Sequence, residues 1–180
     1  MQRDPRLARL SEEHHHGLVF ALRIERELPA ASDDDVERLY SQLLRFWSRG
    51  LLPHFHTESE CLLARLIRHR PLDDPQIKRL HTEHLAMYGL VSRMRDAATP
   101  DERRDALREF GVTLHDHIRW EERDLFETAQ AELLEGELDA LGDEIAARHP
   151  KPTSAPWEDA GIGCRVLCWQ NDGIAGTMSA

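Results

Sequence analysis

Eleven histidines stand in this 180-residue chain, and most fall inside helical patterns instead of a terminal run. The 3-4 spacing of a bundle seam collects four of them. One stripe reads Leu7, Leu10, His14, Leu18, Ala21, and a second reads Val36, Tyr40, Leu43, Trp47, Leu51, His54, Glu58, Cys61. A third is Ile77, Leu80, His84, Met87, Val91, Met94, and a fourth is Leu107, Phe110, Leu114, His117, Glu121, Leu125. Each stripe is apolar apart from one level, where it carries a histidine. In the second and fourth, a glutamate follows four residues on, about 40° round the helix and one turn along it.

Six inward-facing ionisable groups need compensation. A buried polar group without a partner costs about 1–3 kcal/mol, and a charge costs more. Together they would consume most of the roughly 5–15 kcal/mol by which a domain is stable. A metal centre resolves the conflict, because it satisfies imidazole nitrogens and carboxylate oxygens together. Neutral imidazole with carboxylate suits iron, zinc or manganese, and the donor count exceeds the four ligands of a structural zinc. Two metal ions are therefore expected, with the glutamates bridging or ligating terminally.

The elements that must position these residues are helices. Alternating β-branched runs and Asn-Gly turns are nearly absent up to residue 150. Pro29 closes a first helix over about 6–28, and Ser32 with Asp35 opens a second over 33–69. Asp74-Pro75 starts a third over 75–97, and Thr99-Pro100-Asp101-Glu102 starts a fourth over 100–134, with Glu102 placed to reach back to the cap. A short fifth helix is expected over 136–148. Short joins between long helices predict an all-α, up-down-up-down four-helix bundle over residues 1–149. Prolines and glycines break up residues 150–180, which read as an irregular tail. No internal repeat of fixed period is apparent. Pro53 beside His54 either kinks the second helix, aiming His54 and Glu58, or divides it in two.

The charge balance, 23 basic against 33 acidic residues and a net −10, argues against nucleic acid as a partner. The apolar stretch Leu18 to Leu22 is far short of a membrane span, and the N-terminus lacks a signal-peptide core. Cys61, Cys164 and Cys168 are too few for a disulfide framework, so a cytoplasmic protein with reduced thiols is expected.

Four segments resemble the hemerythrin-like (HHE cation-binding) family: Leu-Ser-Glu-Glu-His-His-His-Gly-Leu (10–18), His-Phe-His-Thr-Glu (54–58), His-Thr-Glu-His-Leu (81–85) and His-Ile-Arg-Trp-Glu-Glu (117–122). The resemblance spans about residues 6–148. It implies a non-haem di-iron site in a four-helix bundle that binds dioxygen, senses oxygen or iron, or handles nitric oxide or peroxide. His14, His54, Glu58, His84 and His117 match family ligands. Two departures stand out. Oxygen carriers of the family pair histidines four apart on the third helix, but Leu80 holds that position here and His81 lies three before His84. The carriers' carboxylate five after the fourth-helix histidine corresponds to Glu122, whereas helical spacing favours Glu121; both stay as candidates. Fewer histidines and more carboxylates favour sensing, storage or redox turnover over reversible carriage.

His15 is an alternative to His14 if the first helix is rotated. His56, His69, His115 and His149 read as surface residues or as partners of the ligands, Glu60 as solvated, and Tyr40 and Trp47 as core. A ferritin-like centre would need Glu-x-x-His on two helices, and that spacing occurs only at Glu12/His15 and Glu13/His16. A zinc-binding bundle, and a regulatory module whose metal centre controls a protein partner, are the alternative readings.

Overall fold

The computed structural model describes residues 3–150, and every regular element among them is helical. Helix α1 is Ala8–Glu27, followed by a 3-10 turn, Leu28–Ala30. Helix α2 occupies residues 33–66, α3 is Pro75–Asp96, α4 occupies residues 100–132 and α5 is Glu135–Arg148. Cys164, Cys168 and the expected tail lie outside the described residues, save for Pro150.

The capping chemistry follows the sequence. Ser32 Oγ accepts from the Asp35 amide while the Asp35 carboxylate accepts from the Ser32 amide. The Asp74 carboxylate accepts from the amides of Gln76 and Ile77, with Pro75 at the first helical position. Thr99 caps α4, and the Glu102 carboxylate reaches one residue further back than expected, to the Ala98 amide. At α1 no side chain caps the start; the carbonyls of Asp4 and Pro5 take the amides of Leu7 and Ala8 instead.

Helix α2 stays continuous through Pro53. The wide turn Trp47–Leu51 precedes it, and the Leu52 amide there donates five residues back to the Trp47 carbonyl. Proline has no amide to offer and clashes with a carbonyl four residues back. Adding a residue to the turn just before it shifts the hydrogen-bond register, and backbone angles remain helical on both sides. Further wide turns occur at Glu58–Leu63 and Glu121–Leu125, both beginning at a glutamate of the buried stripe.

Two apolar clusters fill the interior. One gathers Phe20, Ile24, Leu43, Phe46, Met87 and Phe110, and the other Leu10, Leu62, Leu66, Leu80, Phe126 and Leu141. Between them lies a layer of buried polar side chains: His14, His54, Glu58, His84, His117 and Glu121. Along α1 and α3 the chain passes from the second cluster through this layer to the first, and along α2 and α4 it passes back. Helix α4 packs against α1, α2 and α3, while α5 lies against α1 and the second half of α2.

Leu138, Leu141 and Ile145 form the apolar stripe by which α5 joins the second cluster. Leu141 is fully buried. The Leu141→Ala substitution is expected to lower global stability by about 2–5 kcal/mol, measured by chemical denaturation.

Candidate metal centre

Each of the four long helices contributes one histidine to the polar layer, and α2 and α4 each add a glutamate. The imidazole Nε2 atoms of His14 and His54 lie 3.4 and 3.0 Å from Glu58 Oε1, and His14 Nε2 lies 3.1 Å from Glu121 Oε2. On the other side, His84 Nε2 is 3.4 Å from Glu58 Oε2 and His117 Nε2 is 3.2 Å from Glu121 Oε1. The six residues thus form two groups that could each hold a cation: His14, His54, Glu58 and Glu121, and His84, His117, Glu58 and Glu121. Each carboxylate turns one oxygen to each group.

None of these four Nε2 atoms or four carboxylate oxygens has a hydrogen-bond partner, although all are buried. Natural proteins rarely leave such groups unsatisfied. The opposite edge of the rings explains why. His14 Nδ1 lies 2.6 Å from Glu122, His54 Nδ1 2.9 Å from Glu13 and His117 Nδ1 2.8 Å from Glu83. An ionised carboxylate only accepts, so Nδ1–H donates in each pair and a neutral ring presents the Nε2 lone pair to the interior. Lone pairs of nitrogen and oxygen then face one another. A metal cation or additional protons must sit between them, and the donor set of imidazole and carboxylate suits a divalent or trivalent transition metal.

Arginines brace the outer carboxylates. Arg3 lies 2.8 Å from Glu122, Arg79 2.7 Å from Glu83 and Arg9 3.7 Å from Glu13. Burial alone would raise Glu13, but hydrogen bonds from His149 and His54 bring its carboxyl down to about 2. Burial likewise opposes ionisation of Glu58, yet the charge of His54 and the close approach of the His14, His54 and His84 imidazoles hold it well below the ordinary range. Burial pulls the His14 and His54 imidazoles down; the surrounding glutamates outweigh it, leaving His14 well above its usual value and His54 at about 9.

The centre has an internal repeat that the sequence pattern concealed. Arg9-Leu10-x-x-Glu13-His14 on α1 matches Arg79-Leu80-x-x-Glu83-His84 on α3, and His54-x-x-x-Glu58 on α2 matches His117-x-x-x-Glu121 on α4. The pairing is crosswise: the glutamate beside the α1 histidine holds the α2 histidine, and the one beside the α3 histidine holds the α4 histidine. The symmetry breaks at two places. Glu122 pairs with His14, but its counterpart is Ser59, and among the described residues no carboxylate pairs with His84 Nδ1. Phe55 stacks on the His84 ring at 4.0 Å, whereas its counterpart is the smaller Ile118.

Of the residues expected from sequence, His14, His54, Glu58, His84, His117 and Glu121 come together. His81 is exposed and joins neither group, and His15 is also exposed. Glu122 is turned to the outer edge of His14 and to Arg3 rather than to the interior. His56 and His115 are exposed, as is His69, which contacts Glu137. His149 is buried, with Nδ1 2.9 Å from Glu13. Glu13, Glu83 and the three arginines went unnoticed in the stripes; the Arg-Leu-x-x-Glu-His repeat is the signal that marks four of those five.

The chain belongs to the hemerythrin HHE cation-binding domain family, whose profile matches residues 6–129. Searches of the curated proteins and of the solved structures return no significant match. Among the described residues no helix is long and apolar enough to cross a membrane.

The raised imidazoles set a pH dependence. In the metal-free protein the charged His54 contributes stability that is complete below its ordinary value of 6.5 and is lost as pH rises through about 9. Metal needs the neutral imidazole, so its contribution grows over the same interval. The gap in thermal midpoint between metal-loaded and metal-free protein is expected to widen from about pH 6.5 to about pH 9. A gap that does not change would contradict the shared role of these nitrogens.

Proposed function

We propose that this chain is a non-haem di-iron protein of hemerythrin type that binds or senses a small ligand such as dioxygen, nitric oxide or peroxide. The single observation that carries the reading is the set of eight unpaired, buried nitrogen and oxygen atoms converging from four helices. In this reading the four helices form an up-down-up-down bundle, with α5 packed on its flank. His14 and His54 would hold one ion and His84 and His117 the other, with Glu58 and Glu121 each offering one oxygen to either position. Glu122, Glu13 and Glu83 orient imidazoles from outside, and His81 takes no part.

Zinc or manganese would also suit the donors; membership of the family favours iron. Two iron ions, when bound, supply redox chemistry and coordination positions that a small molecule can take. The protein's contribution is orientation and exclusion. The carboxylates on Nδ1 fix the ring tautomers, and the apolar clusters above and below keep bulk water from the layer. A cavity of about 60 Å³ reaches His14, His54 and Glu121 between the apolar walls of Phe46, Leu51, Phe55 and Ile118. It has room for a diatomic molecule beside the layer, and Arg9, Glu13, Arg49 and His149 also line it. No nucleophile–base pair of a hydrolase is needed to account for the layer, and sensing or redox turnover follows more naturally than hydrolysis.

Anaerobic purification with elemental analysis tests the assignment. Wild-type protein is expected to carry two iron ions per chain, and the His54→Ala and Glu58→Ala variants to lose iron and thermal stability together, since metal bound only to the folded state stabilises it. Exposure of the reduced protein to oxygen or nitric oxide should change its near-ultraviolet and visible absorption. Undiminished iron in both variants would overturn the ligand assignment, and a colourless zinc protein would overturn the di-iron reading.

A further inference from the structure

The end of α5 touches the centre at one residue. His149 lies beyond the span matched by the family profile, yet its side chain is buried and lines the same cavity as His14 and His54. Its Nδ1 is 2.9 Å from Glu13 Oε1, and its Nε2 is 2.7 Å from Thr57 Oγ1. The other oxygen of that carboxylate, Oε2, is 2.9 Å from His54 Nδ1. Glu13 is therefore shared between an imidazole of the polar layer and one supplied by α5. Arg9 secures the same backbone, donating from Nε to the His149 carbonyl at 3.2 Å and from its terminal nitrogen to the Pro150 carbonyl at 3.4 Å. The repeat offers no equivalent on the other side: Glu83, the counterpart of Glu13, is held by Arg79 and by no second histidine among the described residues.

We propose that His149 is a positioning residue for His54: it locks the Glu13 carboxylate in the orientation that aims His54 Nε2 into the polar layer. The effect acts on the His14/His54 position alone. A carboxylate held from two sides has less freedom to rotate away, so the imidazole it orients keeps its ligand geometry. Because α5 docks through Leu138, Leu141 and Ile145 on the second apolar cluster, the position of that helix is coupled to one metal position and not to the other. The inference rests on the proposed two-ion reading of the layer.

The test is the release of bound metal to an excess of chelator, followed in wild-type, His149→Ala and His149→Gln proteins loaded with iron. In His149→Ala one of the two ions is expected to leave about tenfold faster while the other is unaffected, the size of effect typical for partners of a metal-bound histidine. The metal-free variant is expected to lose some thermal stability with the Glu13 and Thr57 contacts, so selective loss of one ion, and not the thermal midpoint, is the readout. His149→Gln retains an amide donor for Glu13 and should recover most of the slow release. Release unchanged in His149→Ala, both ions accelerated equally, or His149→Gln as fast as His149→Ala would each overturn the inference alone. Wild-type protein that takes up no metal would overturn the two-ion reading, and this inference with it.

Discussion

The constraint on which the rest of this structure depends is the accumulation of lone pairs in a buried interior. Glu58 and Glu121 direct four oxygens inward, and four imidazoles meet them with Nε2. Hydrophobic burial on either side makes the layer possible and also makes it costly, because no protein group pairs with those atoms. Positive charge is the missing component. Protons can supply it in part, and the raised His14 and His54 register that tendency. Metal ions would supply it with the valence that two carboxylates and four imidazoles favour.

Everything around the layer serves to keep those lone pairs pointed inward. Glu122, Glu13 and Glu83 accept hydrogen bonds from Nδ1–H of His14, His54 and His117, so these three rings cannot flip without losing charge-assisted hydrogen bonds. Arginines hold two of these carboxylates in close ion pairs. Wide helical turns begin at Glu58 and at Glu121, so both glutamates sit where the local register of their helix changes. Such turns often mark functional sites, because they redirect a side chain without breaking the helix.

The six-residue layer was legible in sequence because its members fall on the apolar stripe, where polar residues are conspicuous. The helix boundaries were legible through Ser32, Asp74 and Thr99, whose caps are local chemistry. Glu13 and Glu83 were not, since each sits about 100° from its neighbouring histidine and its role appears only when a second helix is brought alongside. The repeat escaped for a related reason. His14 to His84 is 84 − 14 = 70 residues but His54 to His117 is 117 − 54 = 63, so no single period aligns both pairs. His149 depends on how α5 docks, which no local pattern encodes. Pro53 raised a choice between a kink and a break that local rules left open, and the wide turn before it resolves the backbone as one helix.

X-ray absorption at the metal edge tests the central claim most directly, because it reports the atoms around the ion and any neighbouring ion. The account predicts, for the loaded wild-type protein, a coordination shell of nitrogen and oxygen only, including imidazole scattering, with a second metal as a near neighbour. A shell containing sulfur, or an isolated ion without imidazole, would contradict it.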